Sequence, residues 1–177
     1  MSKDSQISFR IEKAVESDWP WILKGLTEIA WVRLDSERQR RMGREVVGES
    51  VERQVQRLRR DEGFPSQAFV AKTDDGTQAG FVWVAKTHND STGQLEASLL
   101  NQYVAEPYRG QGLGRRLMEK AEDWARQQGL PRIALSVGAN NSIGQGLYES
   151  LGYQVETLRM SKKLEEQEPD EPLLLND

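Results

Sequence analysis

The chain has no cysteine, one histidine and no long apolar run among its 177 residues. Without cysteine there are no disulfides, no thiolate metal sites and no cysteine nucleophile. The single histidine, His88, lies in the polar stretch His88-Asn-Asp-Ser-Thr-Gly93, where a solvated turn residue is a simpler reading than a general base. No segment approaches the ~18 apolar residues of a membrane span, and no signal-like apolar core is present, so no membrane partner is expected and a cytoplasmic location fits. Metal binding finds no support in the residue pattern. The net charge of −4 disfavours nucleic acid as a main partner.

The length suits one domain able to bury a proper core, expected over residues 1–164. Residues 165–177 hold six acids, no base and two prolines, and are expected to form a mobile acidic tail. Leu173-Leu174-Leu175 within it reads as an ordinary frayed terminus, with docking on a neighbour as the alternative. Charge is uneven, because residues 33–60 carry nine arginines against five acids. A solvated helix face with pairs such as Glu49–Arg53 is the simpler account of that excess. A wall facing an anionic substrate is the alternative.

Alternation over Ile7–Glu12 predicts a strand. Ser17-Asp18-Trp19-Pro20 opens a helix with a capping side chain and proline in its first turn. A second helix is expected over Glu45–Arg60, with Val47, Val51, Val55 and Leu58 on one face. Strands follow at Gln67–Lys72, Ala79–Lys86 and Gln94–Val104, separated by Asp74-Asp75-Gly76-Thr77 and by the His88–Gly93 turn. A helix from Leu113 carries Leu117, Ala121, Trp124 and Ala125 as a stripe and stops at Gly129. Then come a buried strand at Arg132–Val137, a short helix at Asn141–Leu151 closed by Gly152, and a last strand at Tyr153–Lys163. The implied class is α/β (α+β): a mixed, mostly antiparallel sheet flanked by helices. No internal repeat is visible.

The most informative stretch is Tyr108-Arg-Gly-Gln-Gly-Leu-Gly-Arg-Arg-Leu-Met118, between a strand and an amphipathic helix. Gly110, Gly112 and Gly114 uncover the N–H groups of a helix start, which have no partner within the helix and carry the positive end of its dipole. That is a cradle for pyrophosphate, with Arg109, Arg115 and Arg116 adding positive charge around it. The spacing fits neither the Walker A loop nor the dinucleotide fingerprint. Downstream stands Asn141-Ser-Ile-Gly144-Gln-Gly-Leu147-Tyr148-Glu-Ser-Leu-Gly152-Tyr153.

Together the two segments resemble the GNAT-superfamily N-acetyltransferases, whose signatures are Q/R-x-x-G-x-G/A and N-x-x-A-x-x-L-Y-x-x-x-G-F/Y. The likeness covers roughly residues 7–164, by motif in the second half and by order of elements in the first sixty residues. Gly144 departs from the usual alanine, which loosens the short helix by up to ~1 kcal/mol without removing chemistry.

The resemblance implies acetyl-CoA as cosubstrate and an amine as acceptor, attacking directly in a ternary complex. It implies a cofactor site of Arg109, Gly110, Gln111, Gly112, Leu113, Gly114 and Arg115, with the backbone of Gln102, Tyr103 and Val104 pairing the pantetheine amides and supplying an oxyanion donor. Asn141 is expected to bond pantetheine, to cap its helix, or both. Tyr148 matches the general acid that protonates the departing thiolate, with simple packing against the sheet as the alternative.

The base is the least defined role. Ser136 stands where some relatives have Glu. Glu96 is the only carboxylate on the strand before the loop, placed by period-two alternation on the same face as Ser98, Leu100 and Gln102. It is the candidate base, against a water chain or an exposed bystander. A small-molecule amine is the expected acceptor. A protein N-terminus or lysine, and a non-catalytic acyl-CoA-binding module, are the alternatives. A homodimer is left open.

Overall fold

Five strands form one sheet in the order β1-β2-β3-β4-β5: β1 (Phe9–Lys13), β2 (Ser66–Thr73), β3 (Gln78–His88), β4 (Leu95–Val104) and β5 (Ile133–Leu135). The first four pair antiparallel, and β5 runs parallel to β4. This computed structural model describes residues 7–60 and 65–162, so the acidic segment 165–177 lies outside the described residues. Among the described residues there are five α-helices: α1 (Trp19–Arg33), α2 (Ser36–Arg41), α3 (Arg44–Arg60), α4 (Leu113–Gln127) and α5 (Ser142–Ser150).

The sheet is covered on both faces. α4 turns Leu113, Leu117, Met118, Ala121, Trp124 and Ala125 onto Phe69, Ala71, Val82, Val84, Ala97 and Leu99. On the other face, Ile22 and Leu26 of α1 and Val55 of α3 close over Ala68, Val70, Phe81 and Trp83. Double coverage explains why β3 reads as a nearly unbroken apolar run from Ala79 to Ala85, all of it buried. α1 lies unusually close to the sheet. A Cβ on Gly25 would stand 2.7 Å from Phe81 Cε1 and 3.2 Å from Tyr103 Cδ1, so only glycine permits this approach.

The start of α1 is fixed by a buried carboxylate rather than by a side-chain cap. Asp18, 2% exposed, reaches backwards to accept from Val15 N at 3.0 Å. It also accepts from Gln78 Nε2 at 2.8 Å and pairs with Lys72 Nζ at 3.1 Å. The expected cap is therefore a tie between the helix and the ends of β2 and β3.

Three features differ from expectation. α2 carries no apolar period, and its existence rests on Asp35, whose Oδ1 accepts from Arg38 N at 2.8 Å. β5 is only three residues long and half-buried, not the longer buried strand expected over Arg132–Val137. The strand expected over Tyr153–Lys163 is not formed: residues 153–162 have no regular structure, and Val155, Leu158 and Met160 are exposed. Val155 differs in parity from Leu158 and Met160, so an extended chain here would have no single apolar face to bury.

One irregularity in β4 sets up everything that follows. Trp83 pairs with Asn101 and Val84 with Leu99, so Leu100 is an extra, bulged residue. The bulge reverses the alternation. Ala97 and Leu99 face α4 before it, and Val104 faces α4 after it, whereas Tyr103 packs on the α1 side.

Candidate active site

The pairing of β4 with β5 covers only Ala97↔Ile133, Ser98↔Ala134 and Leu99↔Leu135. From Leu100 to Val104, among the described residues, β4 has a strand partner on the β3 side alone. An open row of backbone groups is a template for another extended amide-bearing chain. This stretch begins at the bulge.

Behind the open edge, the chain leaves Val104 through a 3-10 turn at Glu106–Tyr108 and enters the glycine loop. Gly110 (φ 74°) and Gly112 (φ 77°) are left-handed, and a Cβ at either would meet no atom within 4 Å, so the backbone conformation alone demands glycine there. Among the described residues, none of the N–H groups from Gly110 to Arg115 finds an acceptor, while Arg116 N returns to Gly112 O at 3.2 Å. Six consecutive donors at the positive end of a fifteen-residue helix form a nest for an anion. Gly114 serves packing instead: a Cβ there would come within 3.2 Å of Leu147 Cδ2.

The arginines around the loop are tethered. Arg109 Nε donates to Val104 O at 3.0 Å, Arg115 Nη2 to Ser150 Oγ at 2.8 Å, and Arg116 Nη2 to Phe9 O at 2.8 Å. They hold the loop to β4, α5 and β1, so direct contact with an anion falls first to the backbone. Gln111 Nε2 likewise closes the turn on Pro107 O at 3.1 Å. Leu113 is buried at 1% exposure in the core under α4 and lends the site only its N–H.

Across the opening stands α5. Asn141 caps it, its Oδ1 accepting from Gly144 N at 3.0 Å. The cap lies so close over Gly144 that a Cβ there would stand 2.5 Å from Asn141 Nδ2, so this glycine gives Asn141 its place. Tyr148 donates its hydroxyl to Gln102 Oε1 at 3.2 Å, and Gln102 Nε2 donates to Gly114 O at 2.6 Å. One side chain on β4 thus links the α5 tyrosine to the first turn of α4.

Sequence reasoning assigned Gln102 only a backbone role. A polar residue beside the glycine loop on a strand otherwise facing a core was the available signal. Burial raises the Tyr148 pKa, and the positive charge of Arg33, at the end of α1, partly offsets it. The Tyr148 ring meets the Tyr153 ring edge-on at 5.9 Å, and Tyr153 Oη donates to Glu122 Oε1 of α4 at 3.1 Å. Burial, with the negative charge of Glu122, pushes the Tyr153 pKa up as well.

Tyr103 turns its ring to the other face, stacked on Phe81 at 5.7 Å and edge-on to Trp21 at 5.9 Å, so only its backbone lies at the open edge. Val104 packs into the α4 core while its carbonyl receives Arg109. Ser136 follows β5 and is exposed. His88 ends β3, opposite Leu95 at the start of β4, far along the strand from the loop.

The expectation that Glu96 shares a face with Gln102 is overturned. The bulge at Leu100 intervenes, so Glu96 lies on the α1/α3 side and Gln102 on the α4 side. Glu96 is 8% exposed and accepts from Asn89 Nδ2 with both oxygens at 3.3 Å. That contact ties the β3–β4 turn to the strand.

A mixed sheet whose fourth strand loses its neighbour midway, with a glycine-initiated helix behind the gap, defines the class of acyl-CoA N-acyltransferase folds. The model of the acetyltransferase (GNAT) family matches residues 24–153, and the chain belongs to that family. It is 32% identical over 91 residues to the uncharacterized N-acetyltransferase YdgE of Bacillus subtilis, covering 51% of this chain and 57% of that one. It is 42% identical over 64 residues to the [ribosomal protein bS18]-alanine N-acetyltransferase of Escherichia coli, covering 36% of this chain and 43% of that protein. The chain spans about half the length of the curated relatives it matches. Among solved structures, the aminoglycoside 6'-N-acetyltransferase AAC(6')-IG of Acinetobacter haemolyticus superposes with a TM-score of 0.63 at 21% identity, over 88% of this chain and 99% of that one, a likeness of fold.

Proposed function

We propose that this protein transfers an acetyl group from acetyl-CoA to a primary amine by direct attack within a ternary complex, and that the amine is a small molecule. The observation that carries the reading is the set of six unpartnered N–H donors from Gly110 to Arg115 beside the open edge of β4, with the Tyr148 hydroxyl across the gap. The pyrophosphate sits on those donors, and the pantetheine arm lies along Gln102–Val104 as an added strand. Asn141 flanks that arm.

The amine nitrogen bonds to the thioester carbonyl carbon, and an N–H of the β4 edge stabilises the oxyanion. As the C–S bond breaks, the sulfur takes a proton from Tyr148. Burial raises the Tyr148 pKa, so the phenol stays protonated at neutral pH and able to donate. The proton lost by the amine passes to water, and Tyr148 is reprotonated from solvent. Glu96 has no part in this scheme, because both its oxygens are engaged by Asn89 near the start of β4, away from the glycine loop.

A protein acceptor is the second reading, favoured by the match to the ribosomal-protein alanine acetyltransferase. The test is CoA thiol release from acetyl-CoA with and without amines, amino acids and short peptides. Release that depends on a small amine supports the transferase reading. Release only with peptides moves the acceptor to protein. Acetyl-CoA binding without amine-dependent release reduces the chain to a binding module.

A further inference from the structure

We propose that the acceptor is a small amine bearing an anionic group, a carboxylate or a phosphate, and that Arg33 holds this group beside the transfer site. The inference rests on the acetyltransferase reading and narrows its acceptor.

α1 crosses its face of the sheet from β2 and β3 toward β4. It starts where Asp18 meets Lys72 of β2 and Gln78 of β3, and it passes β3 and β4 where Gly25 touches Phe81 and Tyr103. From Gly25 to Arg33 the helix advances about 12 Å at 1.5 Å per residue. At the level of Tyr103 no β5 lies beyond β4, so α1 meets β4 beside its open edge. Arg33 is the final residue of the helix. The positive charge of Arg33 acts on the Tyr148 hydroxyl of α5, which sets the end of α1 near that hydroxyl.

Arg33 is exposed, and among the described residues no carboxylate pairs with it. Arg38, Arg41 and Arg44 are engaged by Asp35, Glu37 and Glu28, whereas Arg40, exposed like Arg33, pairs with no carboxylate among the described residues. The negative end of the helix dipole favours a cation at this position, yet it leaves the guanidinium's five N–H donors to solvent. A planar guanidinium is suited to grip a carboxylate or phosphate with two parallel hydrogen bonds. Of the five arginines in residues 33–44, Arg33 and Arg40 are left without a carboxylate, and their charge favours an anion over a polyamine at this end.

The test compares kcat/KM within matched acceptors: γ-aminobutyrate against its amide and putrescine, and phosphoethanolamine against ethanolamine. In the wild type the anionic member of each set is favoured by ~10-fold or more, the size of a charge-assisted contact. Arg33→Gln collapses that ratio toward one through KM for the anionic acceptor, and Arg33→Glu inverts it toward putrescine. Arg53→Gln, on the solvated face of α3, keeps the wild-type ratio. A wild-type preference for neutral or cationic amines, turnover confined to peptides, or an Arg33→Gln ratio equal to wild type overturns the proposal and leaves acetyl transfer standing. No amine-dependent CoA release with any acceptor overturns the transferase reading and this inference with it.

Discussion

Tyr148 donates its hydroxyl proton to the Gln102 side chain, and that detail shapes what its loss should do. In the proposed mechanism the hydroxyl exchanges Gln102 Oε1 for the thioester sulfur, a swing open to a phenol whose ring is braced by Tyr153. Tyr148→Phe keeps the ring and the brace and removes only the donor. Turnover is expected to fall ~10- to 1,000-fold under conditions where chemistry limits the rate, bracketing the usual worth of a general acid, while acetyl-CoA affinity hardly changes. Equal turnover in both proteins would leave Tyr148 a packing residue. Glu96 gives the opposite expectation. Because it faces away from Gln102 and serves Asn89, Glu96→Gln should run parallel to the wild type in a pH–rate profile from neutral to alkaline pH. A deficit greatest at neutral pH and shrinking as the amine deprotonates would restore Glu96 as the base.

At the level of elements, the glycine loop and the edge of β4 act as one unit. Gly112 is left-handed at the cap of α4, so an aspartate there is strained by its φ of 77° and sets a carboxylate among donors meant for an anion. Gly112→Asp should weaken acetyl-CoA binding by at least ~10-fold in calorimetry, since loss of charge-assisted hydrogen bonds alone is worth about 1.5–3 kcal/mol. Unchanged affinity would remove the loop from the donor site.

The loop was legible in sequence because glycine at positive φ is a backbone requirement written directly as residue type. The stripe on α4 was legible because Leu117, Ala121 and Trp124 recur with the helical period. The bulge at Leu100 was not, since it belongs to the register between two strands and leaves the apolar pattern of β4 intact. Period-two reasoning therefore put Glu96 on the wrong face. The missing strand after Tyr153 has a related cause. Tyr153 and Val155 favour a strand, but pairing depends on a neighbour, and β5 spans only three residues. The first half of the chain carries no motif, and its contribution, α1 laid close on β3 and β4, depends on Gly25 meeting Phe81 and Tyr103.

Across the whole molecule, Asp18 joins α1 to the sheet that carries the site. Desolvation raises its pKa, but hydrogen bonds from Val15, Gln78 and Lys72, with the Lys72 charge, outweigh it and hold the carboxyl below its ordinary value. A carboxylate lowered in the folded state stabilises the fold above its unfolded pKa, near ~4, and that contribution is lost as pH falls through the folded value. Asp18→Asn keeps the shape and loses the charge. It should cost about 1–3 kcal/mol at neutral pH, read by denaturant melts, and the gap from wild type should close in strong acid. An equal gap at all pH values would mean that the ion pair with Lys72 contributes nothing.

The central claim is that acetyl-CoA is held by backbone N–H groups on the edge of β4 and the start of α4. Amide hydrogen exchange with and without acetyl-CoA reads those groups directly. Protection on binding is expected at Gly110–Arg115 and within Gln102–Val104, with little change in β1 and β2 across the sheet. Saturable binding that leaves the exchange of Gly110–Arg115 untouched would contradict it.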